Sequence, residues 1–373
     1  MKYMVPEYYD RFQCKCGACR HSCCDGWPIR ISMKEYYHLL SIPCSGELRT
    51  KLDCALKLCK DNHGQGYVQI STNWQGICML HLENGLCALQ SELGEEVLPT
   101  VCRQYPRSTK ELGELRQCSC SNSCEAVIEL LMKYQNPLLQ KDVDLLVSPE
   151  LKHDLTAEQI EVFYKCITIL QNRQFPMHQR YLQLAQYFNL DEIWGKFEQN
   201  EACAVDFLLR INRYFLDSNL SEYCQTTLDY YELGGQMNMN KVDIISIKEK
   251  YRKGQAHLNK LLPDWSILLE QLIINHMFYN NFPFCNNYAT KDSYTAFIIM
   301  TSFLEFNLMG CMVKNKGITD LVDFLSAMFR IIEHSNFYDI ALSLCQMDAE
   351  HNSDVIRNLI SLFAFEPSKG KML

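Results

Sequence analysis

Cysteine placement constrains this chain more than any other feature: fourteen of its twenty cysteines lie between Cys14 and Cys124. Most of the fourteen sit in four short groups: Cys14 to Cys24, Cys78 with Cys87, Cys102, and Cys118 to Cys124. A soft or borderline metal wants about four thiolates from short loops, and closely spaced cysteines supply two ligands per loop at low entropic cost. Disulfides are the competing reading. They belong to small secreted chains, whereas the opening MKYMVPEYYDRF has no apolar signal-peptide segment, so a reduced, cytoplasmic setting is expected. Zinc closes its sites with Cys and His, and His21 and His81 lie near the groups, but so many thiols with few histidines favour an iron–sulfur cluster. Cys16-x2-Cys19-x3-Cys23 reverses the spacing that radical enzymes use, and no barrel pattern follows it. The other six cysteines are scattered through the last two thirds of the chain and read as small buried hydrophobes.

Charge changes where cysteine content does. Residues 1–124 carry a net +1 and residues 125–373 a net −9. An acidic balance without basic stretches interleaved with aromatics argues against nucleic-acid binding. No uninterrupted apolar run approaches the roughly 18 residues of a membrane span, since Glu305 breaks even the stretch from Phe297 to Phe306. Walker, Gly-x-Gly-x-x-Gly, Gly-x-Ser-x-Gly and His-Glu-x-x-His motifs are absent, and no strand–helix alternation suggests a Rossmann sheet.

Local patterns predict a mainly α fold. Ser32 and Glu35 form a capping box for one helix, and Ser45 to Lys60 reads as a second. Residues Gly66 to Ser71 alternate as a strand, and Ile77–Leu80 and Leu86–Leu89 flank the turn-forming Glu83-Asn84-Gly85, predicting a small β-hairpin. From Cys124 onward the apolar period is helical, with Thr156 and Gln159 as another capping box. The expected organisation is a cysteine-cluster metal-binding domain over 1–124 and an all-helical body over 125–373. The Gly234-Gly235 loop, near 230–240, divides that body into two lobes.

The motif residues resemble a known family. Phe12-x-Cys14-x4-Cys19-x3-Cys23-Cys24-x-Gly26-Trp27, Gly76-x-Cys78-x8-Cys87 with Asn84-Gly85-Leu86, Leu93-Gly94-Glu95-Glu96, Cys102-Arg103-x-Tyr105-Pro106-Arg107 and Ser123-Cys124 are together similar to the flagellin lysine-N-methylase family. The head alone is similar to a broader cysteine-cluster domain described as zinc- or iron-chelating. In the body, Leu269-Glu270-Gln271-Leu272 through Phe278 and Phe282-Pro283 resembles a helix of that family ending in Phe-Pro. Cys16, Cys44, Cys54, Cys59, Cys118 and Cys120 are extras relative to the pattern, and Glu125 stands where a Pro is expected.

The resemblance implies methyl transfer from S-adenosylmethionine to lysine amines of flagellin or another lysine-bearing protein, with an iron–sulfur centre, 4Fe-4S, and zinc as the alternative. The implied metal ligands are Cys14, Cys19, Cys23, Cys24, Cys78, Cys87, Cys102 and Cys124. Eight exceed one site, and for a single cluster Cys19, Cys23, Cys87 and Cys102 rank first. Trp27, Arg103, Tyr105 and Arg107 are the cofactor-binding candidates; the arginines suit a carboxylate or the charge of a thiolate cluster, and the aromatics suit stacking or shielding. Glu270 and Tyr279 are the catalytic candidates, because a lysine amine must be steered and neutral to attack a methyl sulfonium. A non-catalytic zinc scaffold and an iron–sulfur redox protein are the rival functions.

Overall fold

The structure is a computed structural model. It describes all residues except 1, 26–28, 60–65, 145–150, 154, 195–199, 235–242, 286–287, 314–315, 348–351, 363 and 365–373. The expected lobe divider near 230–240 and the cofactor candidate Trp27 therefore fall, in large part and entirely, outside the described residues.

The N-terminal region holds two small sheets. Strands β2 (Ile29–Ile31), β3 (Leu56–Leu58) and β4 (Val68–Ile70) form an antiparallel sheet in the order β2-β4-β3. Around it lie α1 (Met33–Ser41), α2 (Gly46–Ala55), α3 (Ala88–Leu93) and α4 (Thr100–Gln104). Helix α1 begins at the expected box: Ser32 accepts from the Glu35 amide, and the Glu35 carboxylate accepts from the Ser32 amide at 2.8 Å. The second predicted helix stops five residues early. Leu56–Leu58 leaves it to pair with Val68–Ile70, a tertiary pairing that local propensity does not announce.

The expected hairpin at 77–89 is looser than a pair of strands. Isolated bridges join Thr72 to Cys78 and His81 to Cys87, and α3 begins directly after Cys87. A true hairpin lies elsewhere, between β5 (Arg107–Leu112) and β6 (Leu115–Cys120), turned by Gly113 at φ +59°. A Cβ at Gly113 would stand 2.3 Å from the Leu155 carbonyl, so both the turn and its packing need glycine. This hairpin joins a second sheet, β7-β1-β6-β5-β8, with β1 at Lys2–Pro6, β7 at Gln140–Asp144 and β8 at Leu151–His153.

Beyond α5 (Glu125–Leu131) and those last two strands the chain is helical: α6 (Ala157–Leu170), α7 (Met177–Tyr187), α8 (Asp191–Trp194), α9 (Glu201–Tyr214), α10 (Ser221–Tyr230), α11 (Ile244–Leu261), α12 (Trp265–Asn280), α13 (Thr290–Cys311), α14 (Ile318–His334), α15 (Phe337–Gln346) and α16 (Asn352–Leu362). The fold is mainly α, with a cysteine-rich N-terminal module and a helical body, as the sequence predicts. Helix α13 is long and apolar enough by composition to cross a membrane, unlike the sequence expectation, but 94% of its apolar window is buried inside the protein. It is the central helix, covered on every side, which is why it lacks a polar stripe.

Two hydrophobic cores divide the chain, and not at residue 124. The smaller is built from Ile29 to Leu89 and carries Cys78, with Cys24, Cys87 and Cys102 packed against it. The larger unites the first strand, Tyr8, Phe12, Cys118 and Cys120 with the helical body, and Cys124 packs on it. The β7-β1-β6-β5-β8 sheet thus belongs with the helices rather than with the cysteine module.

Candidate metal centre and active site

The loops that carry the cysteines are fastened at both ends to other elements. Residues 14–21 are clamped to the start of α5: Lys15 Nζ donates to Glu125 Oε2 at 2.9 Å and Glu129 Oε1 at 2.8 Å, and the His21 amide donates to Glu125 Oε1 at 2.6 Å. Helix α14 holds the next segment, with Arg20 bonded to Asp323 at 2.7 Å and Arg330 donating to the Asp25 carbonyl at 2.6 Å. On the other side the Cys78 amide donates to the Cys24 carbonyl at 2.7 Å. Gly17 and Gly85 meet backbone to backbone, so that a Cβ on either would lie 2.7 Å from a carbonyl oxygen of the facing turn. That close approach explains the glycine of the Asn84-Gly85 turn.

These clamps assemble one cavity of about 510 Å³, onto which all eight ligand candidates open. Cys16, an extra in the sequence pattern, joins them, and its amide donates to Cys14 Sγ at 3.3 Å. All twenty cysteines are free thiols. Among the described residues no group of three or more Cys, His, Asp or Glu side chains is placed to hold a metal ion. The donor set nonetheless fits a soft metal or an iron–sulfur cluster: sulfur predominates, and the space between the thiols is roomier than one ion needs. Hydrogen bonds from Cys23 and Cys78 hold the Cys24 thiol well below the ordinary thiol range, favouring its thiolate form. Burial pushes Cys19 and Cys102 up to about 12 and Cys124 to about 11, and metal binding would have to displace those protons.

The cavity's other wall takes polar residues from the helical body. Tyr279, near the end of α12, and His334, the last residue of α14, both line it, with ring centroids 5.8 Å apart. His334 Nε2 lies 3.0 Å from Ser121 Oγ and 2.9 Å from Ser123 Oγ, and Ser123 Oγ meets the Tyr105 hydroxyl at 3.0 Å. Burial pulls His334 down to about 4, so its imidazole is neutral at physiological pH. Behind it, Glu333 accepts from the Asn122 amide at 3.0 Å and pairs with His276 Nδ1 at 3.0 Å. The 120–123 turn is latched to α12 as well, since Asn122 donates to the Leu272 carbonyl at 2.8 Å and Asn275 to the Cys120 carbonyl at 2.8 Å. Beneath Tyr279, Lys110 Nζ is buried against the Phe278 and Tyr279 carbonyls and Asn281 Oδ1, and desolvation brings its amine down to about 7.

Of the expected cofactor residues, Arg103, Tyr105 and Arg107 all line this cavity. Arg103 lies on the rim, 4.0 Å from Glu96, and the Arg107 guanidinium sits 4.7 Å from the centre of the Phe12 ring. Tyr105 is buried. The two catalytic candidates are not brought together. Glu270 is 3% exposed and bound by Arg173 at 2.8 Å and Arg180 at 2.6 Å. It faces a separate cavity of about 930 Å³, nine residues or roughly 13 Å along the helix axis from Tyr279. The sequence reading missed His334, Ser121 and Glu333, which have no motif of their own; the one available signal was the Ser123-Cys124 pair.

Fold and site together define a mainly helical protein whose body closes over a thiol-lined cavity. Residues 188–362, within the helical body, match the family model of the FliB lysine N-methylase C-terminal domain. Curated relatives agree. The chain is 27% identical over 127 residues to the lysine-N-methylase of Salmonella typhimurium, covering 34% of this chain and 31% of that protein. It is similarly 25% identical over 127 residues to the flagellar biosynthetic protein FliU of Salmonella muenchen, covering 34% of this chain and 75% of the relative. The matched stretch is thus less than a third of the Salmonella typhimurium protein's length. No solved structure matches.

Proposed function

We propose that the protein is a lysine N-methyltransferase that uses S-adenosylmethionine, acts on flagellin or a similar lysine-bearing protein, and carries an iron–sulfur centre among its N-terminal thiols. One observation carries this reading: α12 and α14, both inside the matched residues 188–362, supply Tyr279 and His334 to the wall of the cysteine-lined cavity. Residues matched by the family model and the thiols of the head thereby line the same cavity.

Methyl transfer to an amine needs a neutral nucleophile held in line with the sulfonium, at about 3 Å. Desolvation can meet the first requirement: in the interior beneath the same helix end it brings the Lys110 amine down to about 7. Tyr279 offers an aromatic face and a hydroxyl to position an incoming lysine. The neutral His334, fixed by Ser121 and Ser123, can accept a hydrogen bond without adding a positive charge that would oppose a sulfonium. Arg103 and Arg107 suit the carboxylate of the methyl donor or the negative charge of a thiolate centre. A bound iron–sulfur cluster would supply a soft Lewis-acid or redox centre beside these groups, held by four of the eight cysteines named above.

The test uses protein purified without oxygen, incubated with isotopically labelled S-adenosylmethionine and flagellin, and read by mass spectrometry of the acceptor lysines. Labelled methyl-lysine that disappears in Tyr279→Ala supports the proposal. Absence of transfer and of saturable S-adenosylmethionine binding, in metal-loaded protein, overturns it and favours the zinc scaffold.

A further inference from the structure

We propose that the eight cysteines form two separate four-thiol metal sites: Cys24, Cys78, Cys87 and Cys102 in the small module, and Cys14, Cys19, Cys23 and Cys124 at its junction with the helical body. This deepens the metal-binding part of the function proposed above and rests on it.

The first set belongs to the smaller core. Cys78 is part of that core, and Cys24, Cys87 and Cys102 are the partly buried thiols packed against it. Its backbone is tied together locally: the Cys78 amide to the Cys24 carbonyl, Asp25 bridged to Ile77, and His81 bridged to Cys87. The second set is tied to the larger core instead. Cys124 is the N-cap of α5 and packs on that core, and the Lys15 and His21 contacts to Glu125 bring Cys14 and Cys19 to the same helix end.

Cys23 and Cys24 are the two central residues of a turn closed by the Asp25 amide on the Ser22 carbonyl at 3.1 Å. Cys24 packs on the small core while Cys23 does not, and their thiols are hydrogen-bonded, so the two sets meet and divide at this turn. Cys16 remains outside both sets, with its amide donating to Cys14 Sγ, as a ligand's supporting hydrogen bond does. A single zinc ion or cubane cluster takes four thiolates, so eight thiols, four of them on the small core and the others gathered around Cys124 on the larger one, exceed one centre.

The two sites differ in role. The first is enclosed in a small apolar module, where a metal staples a core that is too small to be stable alone. The second borders the wall of Tyr105, Ser123 and His334, so it is the reactive one. This division redraws the single cluster ranked from sequence, because Cys19 and Cys23 fall in one set and Cys87 and Cys102 in the other.

Iron, zinc and sulfide per folded chain, measured without oxygen, test the division in Cys78→Ser/Cys87→Ser, in Cys14→Ser/Cys124→Ser and in the fourfold variant. Each pair is expected to remove part of the bound metal and leave the rest, and the fourfold variant to remove all of it. If either pair empties a folded chain, or leaves its metal unchanged, two sites are overturned. The unmodified protein gives a check free of folding defects, in which thiols are alkylated during stepwise chelation and the protected cysteines identified by mass spectrometry. Loss of protection in two groups of four supports the proposal, and simultaneous loss of all eight sinks it. A single metal centre with intact methyl transfer would overturn the division alone, whereas a chain that binds no metal would overturn the iron–sulfur reading as well.

Discussion

The two ends of α12 make opposite use of buried polarity. Toward its N-terminus, Glu270 is surrounded by Arg173 and Arg180, so its charge is matched and its oxygens are occupied. Toward its C-terminus, Tyr279 stands beside His334 and above Lys110, groups whose burial favours their neutral forms. A matched ion pair is silent toward a visiting substrate, and breaking it costs stability. Neutral donors and acceptors around a cavity keep capacity for a ligand, which is why chemistry is assigned to the second end.

The largest effect expected from this contrast is at Glu270. Glu270→Ala should cost about 3–5 kcal/mol of stability by stranding two arginines, one of them buried. Urea unfolding measures it, and near-wild-type stability would break the claim that this end is structural. Methyl transfer by the remaining folded protein should be unchanged.

His334 gives the next effect. Its folded-state value of about 4 lies below the ordinary 6.5, so the unfolded chain binds the extra proton first as pH falls. Its contribution is therefore complete above pH 6.5 and is lost between pH 6.5 and 4, up to about 3 kcal/mol. His334→Gln, which can still bond Ser121 and Ser123, should flatten the stability profile in that window. Chemical denaturation at a series of pH values checks this, and parallel profiles for the two proteins would contradict a buried neutral imidazole.

Tyr279→Phe is expected to slow methyl transfer about tenfold, equivalent to about 1.4 kcal/mol, with melting temperature unaltered. The rate on flagellin peptide under saturating S-adenosylmethionine reads this, and a loss of stability instead would make Tyr279 structural like Glu270. At the rim, Arg103→Ala should change stability by less than about 0.5 kcal/mol, because its partner Glu96 is 95% exposed. A measurable effect there would have to appear in cofactor affinity, which calorimetry resolves.

Legibility in the sequence followed the range of the forces involved. Helix starts at Ser32 and Thr156 were readable because a capping box is local, four residues long. The β3–β4 pairing and the parallel contact of β1 with β6, where Met4 meets Gln117, were not, since strand partners are chosen by distant residues. Cys118 and Cys120, extras in the cysteine pattern, turned out to be buried core residues of β6, a distinction that spacing alone does not make. Glu270 and Tyr279 looked alike as polar residues on one apolar helix, and only their neighbours from the loop after α6, from α7 and from α14 separated them.

The sequence by itself determined the chemistry available: thiols crowded at one end, a helical body shown by its apolar period, and charge concentrated away from the cysteines. Those properties depend on residue type and spacing and survive any arrangement of the elements. Tertiary structure alone decided which thiols share a core, that α14 brings His334 to them, and that Glu270 is matched while Tyr279 faces a cavity. Such facts arise from contacts between residues up to about three hundred positions apart, as in the bond from Arg20 to Asp323, and packing, not local preference, sets those contacts.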